Sequence, residues 1–171
     1  SSTMDIAKSS LKNNNKKLLI LSDFQSAGRG RLNNKWISDK GNVYITLKLF
    51  LDKKIGKFFE LGILTCLEIK KTISHFDINN VSFKWPNDIY IKESKVGGIL
   101  TEIYSDNKNT FCLLGIGINL STSPIINKYR TTFLKKYNNS IVRSSFVELL
   151  IRNIINSFDK WNVDDKKDLI K

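Results

Sequence analysis

The sequence is poor in the residues that build disulfide frameworks and zinc sites. Its 171 residues include two cysteines and one histidine, and no CxxC pair occurs. Cys66 and Cys112 each lie in an apolar run, so we predict two buried, reduced thiols and no zinc site. His75 follows an amphipathic segment and is predicted to be an exposed residue at a helix end.

Signals for secretion and for membrane insertion are also missing. The sequence has no signal peptide and no apolar run long enough to span a bilayer. Together with the reduced cysteines, this predicts a cytoplasmic setting and no membrane partner. The sequence contains no Walker A, GxSxG or HExxH motif and no paired-carboxylate signature, so hydrolases and P-loop enzymes are disfavoured.

Acidic residues are outnumbered by basic ones. The 28 lysines and arginines against 16 aspartates and glutamates give a net charge of +12. Such an excess could indicate a nucleic-acid partner, an anionic membrane or an acidic protein partner. The excess is mostly scattered lysine, and no compact basic stripe with interleaved aromatics is seen, so a solvated lysine-rich surface and no DNA partner are predicted. A basic nucleic-acid-binding module is kept as an alternative function of a different class.

The predicted elements follow the order of an α+β fold in one domain that spans residues 1–171. Helices are expected over 2–12, 56–74 and 142–161, with a short one near 129–137, and strands over 18–24, 43–51, 81–85, 88–92, 96–104 and 111–120. Turns are expected over 13–17 and 105–110. We therefore expect a mixed, largely antiparallel sheet with helices on one side. In the second helix, Phe59, Ile63, Leu67 and Ile69 are predicted to face the core.

A long loop over residues 25–41 carries the first motif with chemical character. It reads Gln25-Ser26-Ala27-Gly28-Arg29-Gly30-Arg31 and continues to Lys35-Trp36. Glycine allows the backbone to approach a ligand closely, and arginine side chains hold anions through forked hydrogen bonds. The pattern predicts a mobile clamp over a carboxylate or phosphate, with a plain basic turn as the alternative.

Three further motifs combine cations, glycines and amides. In the first, over residues 84–88, Lys84 and Asn87 could meet a ligand at a strand junction, whereas Trp85 is predicted to be a core residue. In the second, Lys95 precedes Gly97-Gly98 and is suited to charge that develops in phosphoryl or adenylyl transfer, although a surface lysine is the simpler interpretation of this motif alone. The third, over residues 115–119, alternates glycine with isoleucine and predicts a bare backbone face that ends at Asn119.

Taken in order, these motifs resemble those of the biotin–protein ligase family, which shares a fold superfamily with lipoate ligases and class II aminoacyl-tRNA synthetases. The family pattern runs through an S-T-N-type helix start, Q-x-x-G-R-G-R with a downstream Trp, K-W-P-N-D, K-x-x-G-I-L and G-x-G-I-N. The corresponding stretches here are residues 2–4, 25–31 with Trp36, 84–88, 95–100 and 115–119.

The resemblance implies activation of biotin by ATP and Mg²⁺ to biotinyl-5′-AMP, and then transfer of biotin to a lysine of a biotin carboxyl carrier domain, as in acetyl-CoA carboxylase. It implies Lys95 and Arg31 as catalytic residues and assigns no metal ligand. The implied biotin-binding residues are Ser2, Thr3, Met4, Gln25, Gly28, Arg29, Gly30, Arg31 and Lys95. The implied ATP- and adenylate-binding residues are Arg31, Trp36, Lys84, Asn87 and Asn119.

The sequence also departs from the family pattern. Met4 stands where Asn is commoner, and Asn33-Asn34 replace a common Gly-Arg pair. We expect neither a preceding helix-turn-helix nor the small C-terminal β-barrel of many members, and a homodimer is left open. A lipoate or octanoate transferase of the same superfamily is the nearest alternative.

Overall fold

A single six-stranded sheet organises the fold. The structure is a computed structural model that describes residues 1–12, 17–51, 59–105 and 109–163. The helices are α1 (Thr3–Ser9), α2 (Phe59–Ser74) and α3 (Arg143–Val163), and the strands are β1 (Leu18–Ser22), β2 (Val43–Leu51), β3 (Val81–Lys84), β4 (Asp88–Ile91), β5 (Ser94–Ser105) and β6 (Thr110–Ile118). Short 3₁₀ turns cover Ser10–Lys12, Arg31–Asn33 and Leu134–Lys136. No helix in the described part of the chain is both long and apolar enough to cross a membrane.

The strands are arranged in the order β1-β2-β6-β5-β4-β3. Each neighbouring pair is antiparallel, and β6 pairs along its whole length with β2 on one side and β5 on the other. The predicted α+β class is therefore confirmed. Three predictions concern segments that lie wholly or partly outside the described residues. They are the turns over 13–17 and 105–110 and the start of the second helix at 56–58.

Helices cover both faces of the sheet, so the prediction that they lie on one side was wrong. In β6, Cys112 and Leu114 belong to the main core with α2 and α3. The intervening Leu113 packs instead with Met4 and Ala7 of α1. Successive side chains of a strand point to opposite faces, and the nearly continuous apolar run in β6 reflects burial on both sides.

The core-facing side of α2 differs from the predicted one. Leu61, Leu64, Ile69 and Ile73 are buried, together with Thr65 and Thr72, whereas Phe59, Ile63 and Leu67 are exposed. The prediction was right for Ile69 and wrong for the other three. The exposed set and the buried set of apolar residues both recur at helical spacing, so spacing does not distinguish the two faces. The two threonines on the buried face gave it a more polar sequence. Their hydroxyls donate to carbonyls one turn earlier, at Leu61 and Glu68, which allows both to be buried.

The remaining predictions for single elements have mixed outcomes. The helix predicted over 142–161 is α3, in which Phe146, Leu150, Ile154 and Phe158 are buried at intervals of about one helical turn. The helix expected near 129–137 is only the 3₁₀ turn Leu134–Lys136. Trp85 is 68% exposed and not a core residue, because it lies in the tight turn between β3 and β4, just before the cis bond to Pro86.

Both cysteines are free, and His75 is exposed, as predicted. Cys112 is buried in the core and Cys66 is half-buried. Burial raises the pKa of Cys66 to about 11, and it raises the pKa of Cys112 as well. Both thiols are therefore held in their protonated, unreactive form at neutral pH.

Two leucines of α2 provide a matched test of the face assignment. Leu61 is 0% exposed and Leu67 is 58% exposed. We expect Leu61→Ala to lower the free energy of unfolding by about 2–5 kcal/mol through lost burial and a cavity, and Leu67→Ala to change it by less than about 0.5 kcal/mol. Urea unfolding followed by circular dichroism measures both, and equal effects would contradict the assignment.

Candidate functional site

A cavity of about 490 Å³ opens beside α1, against the glycines of β6. Its walls come from α1, the 25–41 loop, β4, β5, β6 and the segment after β6. Nine of the residues assigned by resemblance line it, namely Thr3, Met4, Gln25, Arg29, Gly30, Arg31, Trp36, Asn87 and Lys95. Residues without an assigned role also line it, among them Leu32, Asn34, Lys35, Asp88, Lys128 and Tyr129.

The floor of the cavity is bare backbone covered by two side chains. A Cβ atom added to Gly115 would lie 2.8 Å from Sδ of Met4, and one added to Gly117 would lie 2.6 Å from the Trp36 ring. Any residue larger than glycine would displace these side chains. Met4 therefore takes part through packing, which is consistent with the apolar residue at this position.

One end of the cavity is polar and internally ordered. Oε1 of Gln25 accepts hydrogen bonds from the backbone N–H of Thr3 at 2.8 Å and from its hydroxyl at 3.1 Å. Nε2 of Gln25 donates to Oγ of Ser38 at 3.0 Å, and the hydroxyl of Thr46 donates to that of Thr3 at 2.9 Å. Gln25 is thus fixed by Ser38 and Thr3, and Thr3 in turn by Thr46; the sequence motifs did not single out Ser38 or Thr46.

Ser2 lies next to this end of the cavity but outside its lining. It is the N-cap of α1, where its Oγ accepts a hydrogen bond from the N–H of Asp5 at 3.1 Å. Burial would raise the pKa of Asp5, but hydrogen bonds from Ser2 and the charge of Arg29 outweigh it and lower the pKa overall. The visible role of Ser2 is to start the helix that carries Thr3 and Met4.

The loop over 28–36 is a small hairpin. The N–H of Trp36 donates to the carbonyl of Gly28 at 2.9 Å, and the N–H of Gly30 donates to the carbonyl of Asn34 at 2.8 Å. Gly28 is buried and lies outside the cavity lining, and a Cβ added to it would lie 2.3 Å from the carbonyl oxygen of Trp36. At the tip, Leu32 is 88% exposed with a left-handed φ of 52°.

The two arginines of the loop have different surroundings. Arg29 forms ion pairs with Asp5 at 3.2 Å and Glu102 at 2.5 Å. Glu102 also accepts a hydrogen bond from the hydroxyl of Tyr104 at 2.6 Å, and burial together with this carboxylate raises the pKa of Tyr104 to about 12. Arg31 is exposed and lines the cavity. Arg29 therefore anchors the loop to α1 and β5, and Arg31 is placed toward the cavity opening.

Lys95 brings its ammonium group into the cavity wall. Its side chain is 13% exposed, and Nζ lies 2.7 Å from Oδ1 of Asp88. The same atom lies 5.5 Å from the ring centroid of Trp36 and 5.2 Å from that of Tyr129. Asp88 belongs to the K-W-P-N-D motif, so its signal was visible in the sequence without an assigned role. Tyr129 is far away in sequence and carried no signal.

The structure does not bring two of the predicted nucleotide-binding residues to the cavity. Lys84 is exposed on β3, outside the lining. Asn119 is buried, its Nδ2 donates to the carbonyl of Thr132 at 3.1 Å, and it too lies outside the lining. Asn87 does line the cavity, and its Nδ2 donates to the carbonyl of Ile99 at 3.1 Å. Among the described residues, no group of three or more His, Cys, Asp or Glu is placed to hold a metal ion.

Comparison with curated proteins gives several relatives. The "Bifunctional ligase/repressor BirA" of Bacillus subtilis is 36% identical over 108 residues, which cover 62% of this chain and 33% of that protein. The protein of the same name from Escherichia coli is 26% identical over 140 residues, or 78% of this chain and 43% of that one. The human "Biotin--protein ligase" is 29% identical over 113 residues and 16% of its length. The chain thus spans less than half the length of these relatives.

Solved structures share the fold. A biotin protein ligase from Aquifex aeolicus in complex with biotin and ATP superposes with a TM-score of 0.81 at 28% identity, over 95% of this chain and 68% of that one. The biotin protein ligase of Leishmania major superposes with a TM-score of 0.73 at 24% identity, over 99% and 81% of the two chains. The family model described as the Biotin/lipoate A/B protein ligase family matches residues 1–119. The resemblance read from the motifs is confirmed, and the chain belongs to the Biotin/lipoate A/B protein ligase family.

Proposed function

We propose that this chain activates biotin with ATP to form biotinyl-5′-AMP and then transfers the biotinyl group to a lysine of a biotin carboxyl carrier domain. The observation that carries the proposal is the position of the Lys95 ammonium in the wall of a cavity that also has an apolar floor and an ordered polar end. The related Aquifex aeolicus enzyme, whose structure was solved with biotin and ATP, supports the same substrates.

The cavity suits each part of biotin in turn. Its volume of about 490 Å³ is typical of small-molecule sites. Thr3 and Gln25 offer the amide and hydroxyl groups that a ureido ring needs, and Met4 and Trp36 above the bare β6 backbone provide apolar surface for the bicyclic ring and chain. Lys95 is then placed for the carboxylate.

In the first step, a carboxylate oxygen of biotin attacks the α-phosphorus of ATP, and the bond to pyrophosphate breaks. Negative charge builds up on the phosphoryl oxygens, and Lys95 and Arg31 are the cations that we assign to stabilise it. In the second step, the carrier lysine amine attacks the acyl carbonyl, AMP leaves, and an amide forms. Asn87 would contribute to the nucleotide side of the cavity, and Trp36 would contact both biotin and the nucleotide.

Mg²⁺ enters the proposal only as part of MgATP. Asp88 is the one carboxylate in the cavity lining, and it is paired with Lys95, so the described residues do not fit a metal site made by the protein alone. The phosphates of the nucleotide usually supply most of the ligands to such an ion. Binding of nucleotide by Lys84 and Asn119, the absence of a DNA partner, a homodimer and a cytoplasmic setting all stay predictions.

The test is incubation with biotin, MgATP and a biotin carboxyl carrier domain, followed by the intact mass of the carrier. We expect a gain of one biotinyl group that requires ATP, and pyrophosphate release from biotin and ATP before any carrier is added. A gain with lipoate in place of biotin would move the chain to the lipoate side of the family. No pyrophosphate release and no biotinylated carrier would refute the proposal.

Lys95 has a natural control in Lys71 of α2, whose side chain is 69% exposed. We expect Lys95→Met to lower the rate of adenylation by about 100- to 1000-fold, because it removes a preorganised cation and keeps most of the apolar stem. Lys71→Met should leave the rate unchanged. Biotin-dependent exchange of pyrophosphate into ATP measures both, and a wild-type rate in Lys95→Met would remove this residue from the mechanism.

The glycines of β6 in the cavity floor allow a second comparison of a site variant with a control variant. Gly117→Ala should raise the KM for biotin at least about tenfold, because the new Cβ would displace Trp36 from the cavity wall. In Gly62→Ala, nothing lies within 4 Å of the new Cβ, and the change within α2 should stabilise the fold by about 1 kcal/mol without altering KM. Initial rates and thermal unfolding report on both, and an unchanged KM in Gly117→Ala would show that Trp36 does not shape the biotin site.

A further inference from the structure

The ammonium group of Lys95 is enclosed by three side chains from separate parts of the chain. Asp88 comes from the start of β4, Trp36 from the loop hairpin, and Tyr129 from the segment after β6. We propose that Asp88 and Tyr129 are positioning residues, which hold the Lys95 ammonium at one place in the cavity wall against Trp36. The inference rests on the proposed function, because it gives Lys95 its purpose.

Such an enclosure answers a physical problem that lysine poses. Its charge sits at the end of a flexible four-carbon stem, so an unrestrained ammonium would sample many positions. Electrostatic stabilisation is effective only when the cation is already in place as charge develops. An ammonium has three N–H donors, so an ion pair with one carboxylate, here Asp88 at 2.7 Å, leaves donors for a carboxylate and a phosphoryl oxygen of the bound substrates.

A shift in strand register brings Lys95 to the same face as Asp88. Between β4 and β5, Asp88 pairs with Gly98 and Ile89 with Gly97, but Tyr90 pairs with Lys95. Val96 is therefore an extra residue on β5, as in a β-bulge. Directly paired residues point to the same face, and so do residues two apart in a strand. Lys95 thus shares a face with Tyr90 and hence with Asp88.

Tyr129 is tied to the same lysine through the backbone. The N–H of Lys95 donates to the carbonyl of Arg130 at 2.9 Å, and the N–H of Thr132 donates to the carbonyl of Lys95 at 2.9 Å. The hydroxyl of Thr131 in turn donates to the carbonyl of Pro124 at 2.5 Å. These bonds fix the segment alongside β5 and leave the Tyr129 ring 5.2 Å from Nζ, where a cation–π contact is favourable.

The first measurement does not depend on catalysis. Brief acetylation with a limiting amount of acetic anhydride, followed by peptide mass spectrometry, gives the labelling of Lys95 relative to the exposed Lys71. We expect the ratio to rise several-fold in Asp88→Ala and in Tyr129→Leu, because either change releases the ammonium from a partner. Tyr129→Phe keeps the ring and should retain the low ratio of the wild type.

The second measurement separates positioning from general stability. Misplaced groups lower the rate of the chemical step more than they weaken binding. In pyrophosphate exchange, Asp88→Ala and Tyr129→Leu should lower kcat about tenfold or more while the KM for biotin changes by less than about threefold. Tyr129→Phe should restore kcat to near the wild-type value. Asp88→Asn, which keeps the shape of the side chain, replaces Asp88→Ala if the latter does not fold, as judged by thermal unfolding.

The labelling ratios and the kcat values together decide whether Asp88 and Tyr129 position Lys95. Higher labelling together with lower kcat, both reversed in Tyr129→Phe, supports the positioning role. Unchanged labelling overturns it, and so does higher labelling with wild-type kcat, because the enclosure would then have no consequence for the reaction. Absence of exchange in the wild type would refute the proposed function, whereas the labelling ratios would still decide whether Asp88 and Tyr129 hold Lys95.

Discussion

Contact between large side chains and bare backbone on one strand determines where everything else in the site lies. Met4 and Trp36 rest directly on Gly115 and Gly117 of β6, closer than any Cβ would permit. This contact brings α1 and the loop hairpin onto the face of the sheet opposite α2 and α3. The cavity is the space that remains between α1 and the loop hairpin. Its polar end is formed by Gln25 and Thr3, which are joined by hydrogen bonds.

Charge in the site is divided between anchoring and chemistry. Arg29 is neutralised by two carboxylates and ties the loop to α1 and β5. Among the described residues, Lys95 pairs with one carboxylate, and it faces the cavity. Cations of two different motifs therefore have different roles, one as an anchor and one in the wall of the site, and Lys35 and Lys128 also line the cavity. The partly buried pairing of Lys95 with Asp88 decides which of many cations can act at a defined position.

Much of this could be predicted from local sequence. The glycines of β6 and the loop motif were identified because the residue types themselves imply close backbone approach or anion binding. Lys95 was assigned through the family resemblance, because a surface lysine was the simpler interpretation of its motif alone. The face of α2 was misjudged because the buried threonines satisfy their hydroxyls within the helix, which no hydropathy pattern reveals. Tyr129 was missed because its position depends on backbone pairing with a distant strand. Lys84 and Asn119 were assigned by motif alone, and local spacing does not report on which way a side chain points.

The extra residue at Val96 has a consequence for how the chain can vary. With regular pairing beyond Ile89 and Gly97, Lys95 would stand opposite Ile91, whose side chain lies in the main core. Insertion of one residue between the lysine and its glycines, with the bulge kept, would likewise place the lysine opposite Ile91, which turns a cation into the apolar interior and removes it from the cavity. This stretch should therefore accommodate changes of residue type at Val96 more readily than an added residue between Lys95 and Gly97.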